Sequence, residues 1–146
     1  MDQSTKAPSA ARGQRIIHLG LLVGLALVGA TFFWLLRVQG GPLASPPRVG
    51  FVLAGVAVAM LGVALIVLRG RIPARRFDQS ADAYWGTNEA RGPSIVLWAA
   101  IDAAGLLAWM GYVMTGHIAP AAVAVVSIVA LALLRPSRLE GDGATS

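Results

Sequence analysis

"IIHLGLLVGLALVGATFFWLL", Ile16 to Leu36, runs for 21 residues without an Asp, Glu, Lys or Arg and is set between Arg15 and Arg37. A bilayer core of about 30 Å is crossed by roughly 20 helical residues rising about 1.5 Å each. The run therefore predicts a transmembrane helix. Lys6, Arg12 and Arg15 form the basic leader that a secretory signal would have. A signal's apolar core is roughly 7–15 residues long, however, and here Arg37 follows directly, so the helix is read as retained. Residues 1–14, "MDQSTKAPSAARGQ", are expected as a disordered tail.

Three further runs repeat the pattern. Val49–Leu68 lies between Arg48 and Arg69, Ile95–Thr115 contains one carboxylate, and Ile118–Leu134 is closed by Arg135 and Pro136. The expected fold is all-α: a polytopic four-transmembrane-helix bundle over residues 15–136, built as two helical hairpins. The spans are 16–36, 49–68, 95–115 and 118–134, with a loop over 69–94 and a tail over 137–146. The turn "TGHIAP" is short enough to make the third and fourth helices antiparallel neighbours. "AGVAVAMLGVALIVLRGR" from Ala54 also resembles "AAVAVVSIVALALLRPSR" from Ala121. Either the hairpins are a duplication about an axis along the membrane normal, or two Ala/Val/Leu-rich helices match by chance.

Composition agrees. The chain is 56% hydrophobic and 13% charged, with mean hydropathy +0.68, whereas a soluble domain carries about a quarter charged residues. No cysteine is present, which excludes disulfides, thiolate metal sites and cysteine nucleophiles. The net charge of +5 comes from residues flanking apolar runs, which makes the lipid bilayer, not nucleic acid, the anionic partner.

Ten of the twelve basic residues fall in the N-terminal segment, the 69–94 loop and the C-terminal tail, leaving only Arg37 and Arg48 on the other side. The positive-inside rule then places both termini in the cytoplasm, with the bacterial inner membrane as the location. Within "RRFDQSADAYWG", Phe77, Ala81, Tyr84 and Trp85 share one helical face, which predicts a short amphipathic helix lying at the interface. Trp34, Phe77, Tyr84, Trp85 and Trp98 are the expected interfacial anchors. Lipid tails are as apolar as leucine, so helices associate through small residues. The packing candidates are Gly20 and Gly24 in the first helix, Gly55 and Gly62 in the second, and Gly105 and Gly111 in the third.

Asp102, in "WAAIDAAGLLAWMG", is the one acid inside a span. It lies roughly 11 Å from the cytoplasmic edge, where a carboxylate costs on the order of 2.5–3.5 kcal/mol. Ser127, at similar depth on the neighbouring helix, leads the expected partners. Asp102 is read either as a proton or cation site or as a neutral hydrogen-bonding residue that sets helix register. His18 and His117 sit at opposite depths, so no shared metal or haem site is expected. No nucleophile set, phosphate loop or carboxylate pair is present, and neither catalysis nor a cofactor is expected. The expected function is a structural or accessory membrane subunit that packs against a membrane-protein partner or another copy. The alternative is a small proton- or cation-coupled transporter or channel component using Asp102.

Overall fold

A computed structural model describes residues 9–43 and 46–140, and every described element is helical. Helix α1, Ala10–Gln39, begins where the Ser9 hydroxyl accepts the Arg12 N–H at 3.3 Å, and it ends at Gly40 in the left-handed region (φ 74°). A side-chain oxygen at the N-cap satisfies one of the free first-turn donors. Arg37, in the last turn, stacks 5.1 Å over the Phe33 ring. The helix takes in residues 10–14, which had been expected as tail, because Ser9 caps a segment whose Ala11 and Gln14 are buried. The rest of that expected tail, residues 1–8, lies outside the described residues, as do residues 141–146.

Helix α2, Pro47–Val63, starts on a proline that needs no helical partner for its nitrogen. It continues through a π-helical turn, Ala64–Leu68, and a 3₁₀ turn, Arg69–Arg71, before Ile72 extends. Extension there suits a residue preceding Pro73. Helix α3 is short, Ala81–Trp85, and is capped by the Ser80 hydroxyl on the Ala83 N–H at 3.1 Å. Helix α4, Asn88–Thr115, starts seven residues before the sequence expectation. The helix runs through Pro93, because a proline this early removes a single carbonyl's partner, here that of exposed Glu89. Gly116 (φ 67°) turns the chain into α5, Ile118–Leu133, and one further turn, α6, spans Pro136–Leu139.

Three of these segments are long and apolar enough to cross a membrane, Ala10–Gln39, Pro47–Arg71 and Asn88–Thr115, and α5 is a shorter apolar helix of 16 residues. The chain is a bundle of long apolar helices of the kind membranes hold. Its centre is α4, which packs against α1, α2 and α5. Half of the apolar window of α4 is buried, against 11% for α1, so α1 is the peripheral helix. The core is built from Leu25, Ala57, Leu97, Ile101, Ala104, Ala108, Ala124 and Leu131. Leu19, Leu27, Val52, Ile66, Val126 and Leu133 point outward and are exposed. A surface that apolar suits hydrocarbon and not water.

Small residues do not all pack where the sequence suggests. Gly105 closes on Leu25 and Ser127, and Gly111 on Leu53 and Pro120. A Cβ at Gly20, Gly24, Gly55 or Gly62 would meet nothing within 4 Å, so these four face away from the chain's own helix contacts. The tightest crossings are at two other glycines. Gly29 lies under the Trp109 ring, and Gly50 under the Thr115 side chain.

Candidate functional site

The first turn of α1, the α2–α3 segment, α3 and the last described turn, α6, meet at one end of the bundle, joined by polar contacts. On α1, Ala11, Gln14 and His18 recur at helical spacing and are buried as one stripe, continued by Leu25 and Gly29. The Asp82 carboxylate of α3 accepts the Ala11 N–H at 3.1 Å. That contact satisfies a free donor at the start of α1 and sets an anion against the positive end of its dipole.

The end of α5 explains the next contacts. A helix leaves its last carbonyls without intrahelical partners, and Pro136 prevents continuation. The Leu131 carbonyl is taken by His18 Nε2 at 2.8 Å and the Leu134 carbonyl by Trp98 Nε1 at 2.9 Å. Because the partner is a carbonyl, His18 carries its proton on Nε2. The His18 and Trp98 rings also meet edge to face, with centroids 5.0 Å apart.

A second layer covers this one. Trp85, fully buried, packs 6.1 Å from Trp98 and 4.8 Å from Tyr84, edge to face with the latter. Its indole N–H donates to Glu140 Oε1 at 2.7 Å, and Arg75 Nη1 holds Glu140 Oε2 at 3.3 Å. The Tyr84 hydroxyl donates to the Pro73 carbonyl at 2.8 Å. Burial pushes the Tyr84 phenol above its ordinary pKa, and the Glu140 carboxylate raises it further. Gln14, 2% exposed, has no partner for its Oε1 among the described residues. A polar cleft of about 650 Å³ opens beside the cluster, bordered by Arg76, Asp78, Gln79, Tyr84, Thr87 and Glu89.

This arrangement corrects part of the interfacial reading. Trp34 and Phe77 are exposed, as anchors would be, but Tyr84, Trp85 and Trp98 are core residues whose polar atoms are satisfied inside the protein. Phe77 precedes α3 instead of sharing its face, and α3 packs against α1 and α4. Glu140 falls within the expected 137–146 tail, yet it is buried at the centre of the cluster. A buried indole N–H demands an acceptor, and only the fold shows that these indoles are buried.

Asp102 stands halfway along α4, partly exposed on the bundle's flank, and its carboxylate has no hydrogen-bond partner among the described residues. Ser127 is fully buried, and its hydroxyl turns back to the Val123 carbonyl at 3.0 Å. The two expected partners therefore do not pair. Among the described residues, no three His, Cys, Asp or Glu side chains converge as metal ligands. Comparison with protein-family models, with characterised proteins and with solved structures found no match.

Proposed function

We propose that the chain is a non-catalytic accessory subunit of the bacterial inner membrane, with both termini in the cytoplasm, that binds another membrane protein or a second copy through the Asp102 flank. The observation carrying this reading is the position of Asp102. An acid in mid-helix, without a partner among the described residues, costs on the order of 2.5–3.5 kcal/mol in hydrocarbon, and a polar group from a neighbouring helix offsets that cost. The terminal-end cluster supports the same reading, because its indoles, carboxylate and imidazole are committed to holding helix ends together. The charge asymmetry along the sequence supports that orientation.

A second reading rests on the same partly exposed carboxyl: reversible protonation of Asp102 within a transport assembly. Two substitutions separate the readings. The full-length tagged chain is cross-linked in membranes, and the mass of the cross-linked species is read. Asp102→Leu is expected to lose the complex at least roughly tenfold, the factor for about 1.4 kcal/mol, while Asp102→Asn, still a hydrogen-bonding side chain, retains it. If both variants cross-link as the parent does, the accessory reading fails. Proton flux in proteoliposomes that is abolished by Asp102→Asn establishes the transport reading in its place.

Orientation is tested separately, since a chain without cysteine accepts single reporters cleanly. A cysteine at exposed Ser137 is expected to resist an impermeant maleimide in intact cells, and one at exposed Leu43 to react. The reverse pattern rejects the orientation.

A further inference from the structure

An apolar groove of about 400 Å³ runs between α2 and α4. Its floor follows one row of α2, Val56, Met60, Ala64 and Leu68, and small side chains at Ala59 and Ala100 make the recess. The row passes through the π-helical turn Ala64–Leu68 and emerges into the 3₁₀ turn Arg69–Arg71. Such π-turns inside α-helices occur frequently at functional sites. Arg69 and Arg71 lie in that turn, one and three residues beyond Leu68, where the apolar row stops. Both arginines are exposed, and the single ion pair among the described residues is Arg75–Glu140, which leaves these two guanidiniums unpaired there. An apolar slot that ends in two cations is complementary to a molecule with a hydrocarbon chain and an anionic head.

We propose that this groove binds one anionic phospholipid, with an acyl chain along Val56–Leu68 and the phosphate on Arg69 and Arg71. The geometry matches both ends of such a lipid. The hydrocarbon gains contact with the recess over Ala59 and Ala100. The arginine fork pairs bidentately with phosphate oxygens at the depth where the apolar row stops. The proposal rests on the membrane-spanning reading.

The test uses the full-length chain, purified in detergent, and native mass spectrometry against equimolar dioleoyl phosphatidylglycerol and dioleoyl phosphatidylcholine. The parent chain is expected to retain one phosphatidylglycerol with a preference of roughly 25-fold, about fivefold for each arginine near an anionic head. The double variant Arg69→Gln, Arg71→Gln brings the preference close to one, and Arg138→Gln, on α6, leaves it unchanged. Ala59→Trp fills the recess and lowers retention of both lipids. Retained preference in the double variant overturns the proposal, as does unaltered retention in Ala59→Trp. A lipid-free dimer that Ala59→Trp dissociates also overturns it, in favour of a second copy as the occupant. If the double variant does not fold, photocrosslinking of a diazirine-bearing phosphatidylglycerol to the parent chain decides. Adducts on the 56–71 segment support the site, and adducts elsewhere reject it. Alkaline carbonate washing of membranes tests the underlying reading: a washed-off chain defeats both, whereas a retained chain without lipid preference defeats only the site.

Discussion

The Trp85 indole donates to the Glu140 carboxylate at 2.7 Å across 55 residues of sequence, which ties the segment before α4 to the chain's last described turn. The same carboxylate holds Arg75, so one acid fastens the α2–α3 segment, α3 and α6 together. Glu140→Ala leaves a buried indole N–H without an acceptor and frees the guanidinium. A hydrogen bond to a charged group contributes about 1.5–3 kcal/mol, and the variant is expected to lose about that much. Thermal unfolding in detergent measures it, and Glu140→Gln, which keeps an acceptor oxygen, is expected to lose less. An unfolding temperature equal to the parent's in both variants would show that the contact contributes nothing.

Tyr84 links stability to alkaline pH. Its phenol is raised by burial first and by the Glu140 carboxylate second. The unfolded chain therefore releases this proton at a lower pH than the folded chain does. The stabilisation is fully present below the ordinary phenol value of about 10 and is lost as pH rises from there through the raised folded value. Tyr84→Phe removes the hydroxyl's bond to the Pro73 carbonyl, at a cost of about 0.5–1.5 kcal/mol near neutrality. It should also flatten the alkaline decline. Unfolding midpoints followed from about pH 8 to 11 check both; an equally steep decline in the variant assigns it to other groups.

Gly29 and Gly24 make a matched pair on α1. A Cβ at Gly29 would fall on the Trp109 ring, which is buried at 8% exposure, while a Cβ at Gly24 would meet nothing within 4 Å. Gly29→Ala is expected to destabilise by about 1–3 kcal/mol, the usual cost of overpacking. Gly24→Ala should cost nothing in the isolated chain. Equal unfolding temperatures for the two variants would contradict the placement of α1.

Asp102 behaves differently in the isolated chain and in an assembly. Since the carboxylate has no partner among the described residues, Asp102→Leu is expected to leave the stability of the purified chain within about 0.5 kcal/mol of the parent or to raise it. A loss of several kcal/mol in detergent would mean that the carboxylate is held within the fold after all.

The membrane character and the four apolar helices were legible in the sequence because they depend on run length, charge placement and hydropathy. These quantities are local and survive without knowledge of neighbours. Helix ends were legible only in part. Pro93 reads as a boundary to the eye, but a proline in the first turns forfeits a single hydrogen bond, and α4 begins before it. Glycine spacing was equally ambiguous. Gly20 and Gly24 have the motif of a helix contact and face outward, while Gly29, without that motif, sits under an indole.

What the sequence by itself determined is the class of solvent this chain is built for: apolar runs of bilayer length, with cations at their ends, specify hydrocarbon whatever the packing. Which face of each helix turns inward was decided only by the tertiary structure. His18, Trp85, Trp98 and Glu140 look like interfacial or tail residues when read one at a time. They become a buried cluster because helix ends leave carbonyls unpaired and indoles carry donors, and only the folded chain brings those needs together.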